Sequence, residues 1–377
     1  MATLRGEPVD RPAVSFYEIG GFLIYPDDSD PYNIYNAPDW QPLLELAEAH
    51  TDLIRLMSPV RARSVDPTGS ASSTIRQEYF HEESWEADDS RFVRTTVTVA
   101  GRTLTQTTRR DRDLDTIWTT EHLLKDTDDL KAYLQIRDEA FAETVDISGI
   151  EAEEAKLGDR GIVMIDTEDP LCAGAALFSM GDYTIIALTE PELFHQLLEK
   201  MSRHIHARTE RVSRLLPGRL WRIYGPEYAA PPYLPPRLFQ EYVVRYVEPM
   251  IRMIHAHGGF ARIHSHGRLE AILDMIAAMG ADGLDPIEPP PQGDVDLSYV
   301  RQRHGSQLVL FGNLEVTDLE NLPPAQFEET VKRALDEGTA GEGRGFVLMP
   351  SAAPYGRTIS ATTMANYETM VRLAEAW

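Results

Sequence analysis

The sequence predicts an α/β fold, a (β/α)8 TIM barrel with an inserted β-hairpin near its N-terminal third. From about residue 124 onward, short apolar segments rich in β-formers alternate with longer segments of helical periodicity. Such alternation is typical of parallel strands joined by helical crossovers. The sequence also lacks a glycine-rich phosphate-binding turn, which favours a barrel over a dinucleotide-binding sheet. We therefore expect residues 1–377 to form a single barrel domain.

The N-terminal third supplies the first strand, a helix and the insertion. Residues Val14–Tyr17 predict a short buried strand. Residues Pro42–Met57 place apolar side chains at helical spacing and predict one helix. The segment from about 74 to 120 differs in character, because β-formers alternate on both sides of Ala100 and Gly101. That pattern predicts a two-stranded hairpin inserted into the barrel.

The remaining strands and helices alternate as far as the C-terminus. The predicted strands are Gly161–Asp166, Arg219–Gly225, Phe260–His264, Leu284–Ile287, Gln307–Gly312 and Gly345–Met349. The predicted helices include Glu190–Leu215, Pro236–His257, Leu269–Met279, Leu297–His304, Pro324–Gly338 and a final segment from Ser360. In a (β/α)8 barrel the C-terminal ends of the strands form one mouth, and catalytic groups lie there.

Composition narrows the class of protein. The 60 acidic and 36 basic residues give a formal net charge of -24, which disfavours binding to nucleic acid. The single cysteine, Cys172, excludes an intramolecular disulfide and a cysteine-rich zinc site. No apolar run reaches the ~18 residues of a membrane span, and the N-terminus has no apolar secretory core. We expect a cytoplasmic protein that acts on a small-molecule substrate.

Polar residues follow nearly every predicted strand, so they are expected to meet at the barrel mouth. Asp285, Glu288 and Glu227 are candidate catalytic carboxylates. For Asp285 and Glu288, the alternative is that they order a loop beside the neighbouring prolines. The candidate substrate-binding residues are the aromatic and polar side chains Tyr17, Glu18, Asp166, Tyr228, Asn313 and Ser351.

His264 and His266 form the sharpest motif, in the stretch HSHG after the strand FARIH. Two residues apart on an extended chain, their side chains point to the same face. Neutral imidazoles are common ligands of transition metals, and Glu227 ends the preceding strand. These three residues are candidate ligands of a divalent metal. An HxH pair alone is a weak signal of a metal site. The alternative is that one of the histidines only hydrogen-bonds backbone carbonyls of the barrel.

Several longer motifs, in order, resemble the uroporphyrinogen decarboxylase (URO-D) superfamily. They are LRGEPVDRPAV, GPEYAAPPYLPPRLFQEYV, HGGFARIHSHGRLEAILDMIAAMGADGLDPIEPPPQGDVDL, LFGNLEV and GRGFVLMPSAAPYGRTISATTMANYETMV. The resemblance extends over nearly the whole chain and implies a (β/α)8 barrel with its active site at the C-terminal mouth. True uroporphyrinogen decarboxylases hold substrate carboxylates with an arginine-rich segment after the first strand. The corresponding stretch here, Phe16–Gly21, contains no arginine.

The chain resembles more closely the corrinoid (cobalamin)-dependent, methyltransferase-like branch. The resemblance implies a zinc site with His-x-Cys on one strand end, a later cysteine and often an acidic ligand. Here His264 matches the first position, His266 stands where the cysteine is expected, and Glu227 fits the acidic position. Near the later position stands Ser351, with no cysteine. A site without thiolates is harder and is a stronger Lewis acid toward oxygen.

The leading hypothesis is a metal-dependent methyltransferase or demethylase. It would move a methyl group from a small methylated substrate, such as a methoxy compound, to a corrinoid protein or similar acceptor. The metal would be zinc or another divalent ion, and the resemblance suggests a homodimer. An alternative is a decarboxylase of a small or porphyrinogen-like carboxylic acid, for which Arg222, Arg262 and Arg357 are the candidate arginines at the mouth. A third is a non-catalytic binding protein on the same scaffold.

Overall fold

Eight parallel strands form the central sheet in the described part of the chain. The computed structural model describes residues 1–17, 29–59 and 71–377. The sheet strands are β1 (Ala13–Val14), β2 (Leu53–Met57), β7 (Gly161–Glu168), β8 (Leu220–Tyr224), β9 (Phe260–His264), β10 (Gly283–Asp285), β11 (Val309–Leu314) and β12 (Phe346–Pro350). Their spatial order is β1-β12-β11-β10-β9-β8-β7-β2. Apolar residues dominate these strands because both faces of each are covered.

The two ends of this sheet meet and close the barrel. The backbone N–H of Asp52, just before β2, donates to the carbonyl of Val14 in β1 at 2.8 Å. The carboxylate of Asp52 in turn accepts the N–H of Val14 at 2.9 Å. All neighbouring strands of the sheet are parallel. The predicted α/β fold class and (β/α)8 barrel are confirmed.

Helices surround the barrel and cross from one strand to the next. They are α1 (Ala2–Arg5), α2 (Gln41–His50), α3 (Ala71–Tyr79), α4 (Thr127–Tyr133), α5 (Ser148–Leu157), α6 (Pro170–Ala175), α7 (Met180–Thr189), α8 (Pro191–Leu215), α9 (Pro236–Phe239), α10 (Arg245–Ala256), α11 (Leu273–Ala278), α12 (Leu297–His304), α13 (Val316–Asn321), α14 (Pro324–Thr339) and α15 (Ala361–Ala376). A π-helical segment, Gln240–Val244, joins α9 to α10. Within the described ranges, no helix is both long and apolar enough to cross a lipid bilayer.

The insertion is larger than the sequence predicts. The hairpin around Ala100 and Gly101 is present, formed by β4 (Ser90–Val99) and β5 (Arg102–Asp111). It is extended on both sides by β3 (Phe80–Ala87) and β6 (Ile117–Glu121) into a four-stranded antiparallel sheet. The predicted hairpin is therefore present as the centre of this sheet, and its two outer strands were not predicted. An isolated two-stranded hairpin is only marginally stable in water, whereas a sheet of three or more strands can be stable on its own.

The segment Pro42–Met57 was predicted as one helix, and this was wrong. The helix α2 ends at His50, and Leu53–Met57 form β2, which pairs with β7 over its whole length. Leu53 and Ile54 are buried. The apolar run therefore belongs to two elements, and pairing with a strand more than 100 residues away decides the second.

Gly225, at the end of β8, marks a tight contact between the barrel and α6. Its φ is +116°, and an added Cβ would lie 2.3 Å from the Cβ of Cys172. We expect Gly225→Ala to lower the free energy of unfolding by about 2–6 kcal/mol, because overpacking and backbone strain each cost about 1–3 kcal/mol. Urea denaturation measures this. Gly341→Ala is the control, since Gly341 also has positive φ but open space around it. An equal loss in both variants would contradict a packing role for Gly225.

Candidate active site

The strand register brings polar side chains together at the C-terminal mouth of the barrel. Tyr224 pairs with His264 across β8 and β9, and His264 pairs with Asp285 across β9 and β10. One layer deeper in the barrel, Arg222 of β8 pairs with Asp166 of β7 on one side and with Arg262 of β9 on the other. Directly paired residues share a face, so both layers point into the barrel. The site is thus built on rigid strands.

His264 and His266 lie side by side. Their ring centroids are 4.7 Å apart, and the ring planes are perpendicular. His264 is buried, whereas His266 is partly exposed. The side chains therefore converge, as their spacing on an extended chain predicts.

A buried ion pair orients His264. Its Nδ1 lies 2.7 Å from Oδ2 of Asp285, and Oδ1 of Asp285 lies 2.9 Å from Nε of Arg262. Both Asp285 and Arg262 are 0% exposed. Burial alone would raise the pKa of Asp285, but the charges of Arg262 and His264 bring it down to about 2. Asp285 is therefore an anion that accepts from His264. It was predicted as a catalytic residue, and the structure places it behind the histidine.

Glu288 orients His266 in a similar way. Its Oε1 lies 2.7 Å from Nδ1 of His266, and its Oε2 accepts the N–H of Gly267 at 2.6 Å. Although burial opposes it, the bond to His266 lowers the pKa of Glu288. Burial likewise opposes a charged His266, yet the bond to Glu288 raises the pKa of His266. Glu288, also predicted as a catalytic carboxylate, is engaged with His266.

These contacts fix which ring nitrogens remain available. A carboxylate only accepts hydrogen bonds, so Nδ1 of each ring is the donor in the neutral and in the charged form. In the neutral form, which is the form that binds a metal, the Nε2 atom of each ring offers a lone pair. The Nε2 of His264 lies 3.5 Å from the hydroxyl of Tyr17. Metal-bound histidines characteristically donate their other N–H to a carboxylate. The pair therefore fits two-histidine ligation of a metal.

Glu227, the predicted third ligand, is not converged on the two histidines. Its Oε2 accepts the N–H of Gly225 at 3.1 Å. Its negative charge still contributes to the raised pKa of His266, so the two groups are neighbours. Among residues 1–17, 29–59 and 71–377, no three His, Cys, Asp or Glu side chains are already grouped around an ion position. The third ligand position is thus not set by the fold alone.

Of the predicted substrate-binding residues, Tyr17 and Asp166 lie on one hydrogen-bonded chain. Asp166 accepts two bonds from Arg222, from Nε at 2.8 Å and from a terminal nitrogen at 3.3 Å. Another terminal nitrogen of Arg222 donates to the Tyr17 hydroxyl at 3.3 Å. This hydroxyl also contacts His264, so the chain joins Asp166 to the first histidine. Glu18 lies outside the described residues.

The other predicted substrate-binding residues are spread around the mouth. Tyr228 is partly buried, and its ring meets that of Tyr183 edge-on. Asn313 is partly exposed and lies in β11. Ser351 is buried, and its hydroxyl bonds to Glu315 at 3.2 Å and to the N–H of Val316 at 3.1 Å. The Ser351 hydroxyl is therefore bonded to protein groups, and the buried side chain is not exposed at the mouth.

Glu315 is a site residue that the sequence interpretation missed. The predicted strand ended at Gly312, whereas β11 continues to Leu314 and delivers Glu315 to the mouth. Burial, followed by the charge of Glu288, raises the pKa of Glu315 to about 7. A predicted strand that ended at Leu314 instead of Gly312 would have placed Glu315 at the mouth.

The three arginines considered for substrate carboxylates are already engaged. Arg222 binds Asp166, and Arg262 pairs with Asp285. Arg357 donates to the backbone carbonyls of Arg112 and Pro31. The carboxylates of Asp166 and Asp285 neutralise Arg222 and Arg262, which are therefore poor clamps for an anionic substrate.

The fold has solved relatives at low sequence identity. It is similar to a methyltransferase from Methanosarcina mazei, with a TM-score of 0.58 and 16% identity over 100% of this chain and 97% of that one. This likeness shows the fold alone. A D-psicose 3-epimerase from Clostridium cellulolyticum H10 has a TM-score of only 0.31 at 13% identity, over 62% of this chain and 91% of that one. No curated protein is significantly similar in sequence.

The sequence also matches a family model over its C-terminal part. The model of uroporphyrinogen decarboxylase (URO-D) matches residues 170–377, which is more than half of the 377 residues. The match includes β8 to β12 and therefore both histidines, Asp285, Glu288 and Glu315. The chain belongs to the URO-D family.

Proposed function

We propose that this protein is a metal-dependent methyltransferase of the URO-D family. It transfers a methyl group from a small methylated substrate, such as a methoxy compound, to a corrinoid protein or similar acceptor. One observation carries the proposal: two adjacent imidazoles are each held at Nδ1 by a carboxylate, which leaves both Nε2 atoms for a metal. The fold likeness to a methyltransferase supports it.

The residues of the chain have distinct tasks in this proposal. His264 and His266 would hold the metal through Nε2, while Asp285 and Glu288 fix the tautomer and the ring orientation. Glu227 is the neighbouring carboxylate that can complete the site. A divalent metal at this position would act as a Lewis acid toward the substrate oxygen. The Tyr17 hydroxyl, between Arg222 and His264, is placed to orient the substrate.

The only cysteine does not provide a thiolate. Burial, followed by the nearby charges of Asp169 and Glu227, raises the pKa of Cys172 well above its usual value. A protonated thiol is a poor ligand and a poor nucleophile. Imidazole and carboxylate are the harder ligands that remain, and they favour an oxygen-containing substrate over a thiol.

The decarboxylase alternative is less favoured. It requires cationic side chains that hold a carboxylate, and Arg222 and Arg262 are each bound to a carboxylate of the protein. Carbon dioxide release in the absence of any methyl acceptor would nevertheless restore it. A non-catalytic binding protein would bind a ligand without turnover in the same assay.

Methyl transfer to reduced free cobalamin tests the proposal, because the absorption spectrum of the corrinoid follows its methylation. With added zinc and a panel of methoxy compounds, we expect turnover by the wild type. His264→Ala and His266→Ala should each lose ~100-fold or more, since a Lewis acid contributes several kcal/mol and 1.36 kcal/mol is about tenfold. His50→Ala is the control, an exposed histidine paired with Glu375. Equal rates in all variants would contradict the metal's role.

A further inference from the structure

Glu315 has an unusual set of neighbours at the end of β11. It is only 6% exposed. The hydroxyl oxygen of Ser351 accepts the N–H of Val316 at 3.1 Å, so the single hydroxyl proton is free to point elsewhere. It points to Oε2 of Glu315, 3.2 Å away. One carboxyl oxygen of Glu315 is therefore fixed as an acceptor.

The other oxygen, Oε1, is buried and has no hydrogen-bond partner in the described part of the chain. No Lys, Arg or His of those residues forms an ion pair with Glu315, whereas Glu288 has His266 and the N–H of Gly267. A buried carboxylate with one unsatisfied oxygen is costly, and a proton on that oxygen removes the charge.

Most of the charged groups around Glu315 raise the pKa of its carboxyl group. Glu288 on the neighbouring loop and Asp318 on α13 are negative and favour a protonated Glu315, whereas His266 opposes them. The hydroxyl of Tyr355 also lies close enough to be influenced by Glu315. Glu315 is thus a buried carboxyl group with one unsatisfied oxygen and no ion-pair partner in the described part of the chain, an environment that holds a proton on that oxygen.

We propose that Glu315 is the proton donor to the leaving group of the methyl-transfer reaction, so that the substrate is a methyl ether whose oxygen departs as an alcohol or a phenol. This inference rests on the function proposed above. A proton donor serves a methyl ether, whose leaving oxygen takes up a proton. A quaternary ammonium donor has no such need, because its leaving amine departs neutral without a proton.

In the methyl-transfer step, the bond between the methyl carbon and the ether oxygen breaks, and its electron pair stays on the oxygen. The nucleophile of the corrinoid acceptor supplies the electron pair of the new bond to carbon. The proton on Oε1 of Glu315 passes to the oxygen, which leaves as a neutral hydroxyl compound. Glu315 remains as a carboxylate and regains a proton from solvent before the next turnover.

Infrared difference spectroscopy tests the proton on Glu315 without any assay of activity. Between the wild type and Glu315→Gln at pH 6, we expect a protonated carboxyl band that is absent from the variant. The band should disappear as pH rises through about 7. Glu329→Gln, an exposed position on α14, should leave the band intact. Ser351→Ala removes the hydrogen bond that favours ionisation, so the band should persist to higher pH. An ionised Glu315 at pH 6 overturns the proposal.

Kinetics then test the donor role. In Glu315→Gln, turnover of a methyl alkyl ether should fall by ~10²–10⁴, the usual contribution of a general acid. A quaternary ammonium donor, if turned over, should be unaffected. The wild-type rate with the ether should decrease as pH rises through about 7, and this limb should vanish in the variant. Unchanged ether turnover in Glu315→Gln overturns the donor role alone. A wild type that methylates no acceptor overturns the proposed function and the donor role together, whatever the infrared result.

Discussion

Replacing Asp285 by asparagine is expected to destabilise the protein by about 3–5 kcal/mol, the usual cost of removing one partner of a buried ion pair. Arg262 is 0% exposed and would lose the carboxylate that lies 2.9 Å from its Nε. The Nδ1 of His264 would lose its charged acceptor at the same time. Urea denaturation at pH 7 with an intrinsic tryptophan signal measures the loss.

Asp274→Asn is the matched control for this experiment. Asp274 also pairs with an arginine, Arg303, at 2.6 Å, but its side chain is 64% exposed. Exposed ion pairs contribute little to stability because water and salt screen them. We expect the control to unfold at nearly the same urea concentration as the wild type. Equal losses in the two variants would contradict the view that burial makes the Arg262–Asp285 pair a structural element.

The pH dependence of this pair has a definite sign. The folded-state pKa of Asp285, about 2, lies below the value of about 3.9 for an unfolded aspartate. The stabilisation is therefore complete above about pH 4 and is lost as the pH falls toward 2. The Asp285→Asn variant lacks this group. Its stability should consequently depend less on pH than that of the wild type between pH 4 and 2.

Replacing Glu288 by glutamine is expected to weaken zinc binding by about 10–100-fold, as is typical when the partner of a metal-bound histidine is removed. An amide accepts a hydrogen bond less strongly than a carboxylate, and it can present its nitrogen to the ring instead. His266→Ala removes a proposed ligand and should abolish measurable binding. Isothermal titration of the metal-free protein with zinc compares these variants.

The matched control for zinc binding is His257→Ala. His257 also lies 3.1 Å from a glutamate, Glu210, but on the outer surface at the end of α10. Its removal should leave the affinity for zinc unchanged. Should Glu288→Gln bind zinc as tightly as the wild type, Glu288 would not be a partner of a metal-bound histidine.

Local patterns predicted much of the barrel. The strand Phe260–His264 and the helix Leu297–His304 were predicted with the bounds that the structure has. In both cases the apolar pattern is short and bounded by glycine or polar residues, so local sequence and final environment agree. Because the predicted end of this strand at His264 was correct, the spacing of His264 and His266 was enough to predict that both side chains point to one face.

The errors occur where distant pairing decides the structure. Leu53–Met57 continue the apolar run of a helix and become a strand because β7 is their neighbour. In β3, nearly every residue is exposed, so no apolar alternation marks the strand. Its pairing with β4 includes a stack of Trp85 on Phe92, with ring centroids 5.3 Å apart. Cross-strand contacts of this kind are not visible in a local window.

The roles of the site residues depended on geometry in the same way. Asp285 and Glu288 were expected at the mouth, but only the contacts between neighbouring strands and loops identify them as partners of the two histidines. Glu315 was missed because β11 extends two residues beyond its predicted end. A shift of two residues leaves the two faces of the strand unchanged, but it moves the strand end along the barrel axis, so a different side chain follows it at the mouth.

The most direct test of the central claim is anomalous diffraction from a crystal of the zinc-loaded protein, recorded on both sides of the zinc absorption edge. The two-histidine site predicts one strong peak within bonding distance, about 2.0–2.1 Å, of Nε2 of both His264 and His266. Asp285 and Glu288 should remain bound to the two Nδ1 atoms. Zinc bound elsewhere, with no peak at these nitrogens, would contradict the proposed metal site and the function that depends on it.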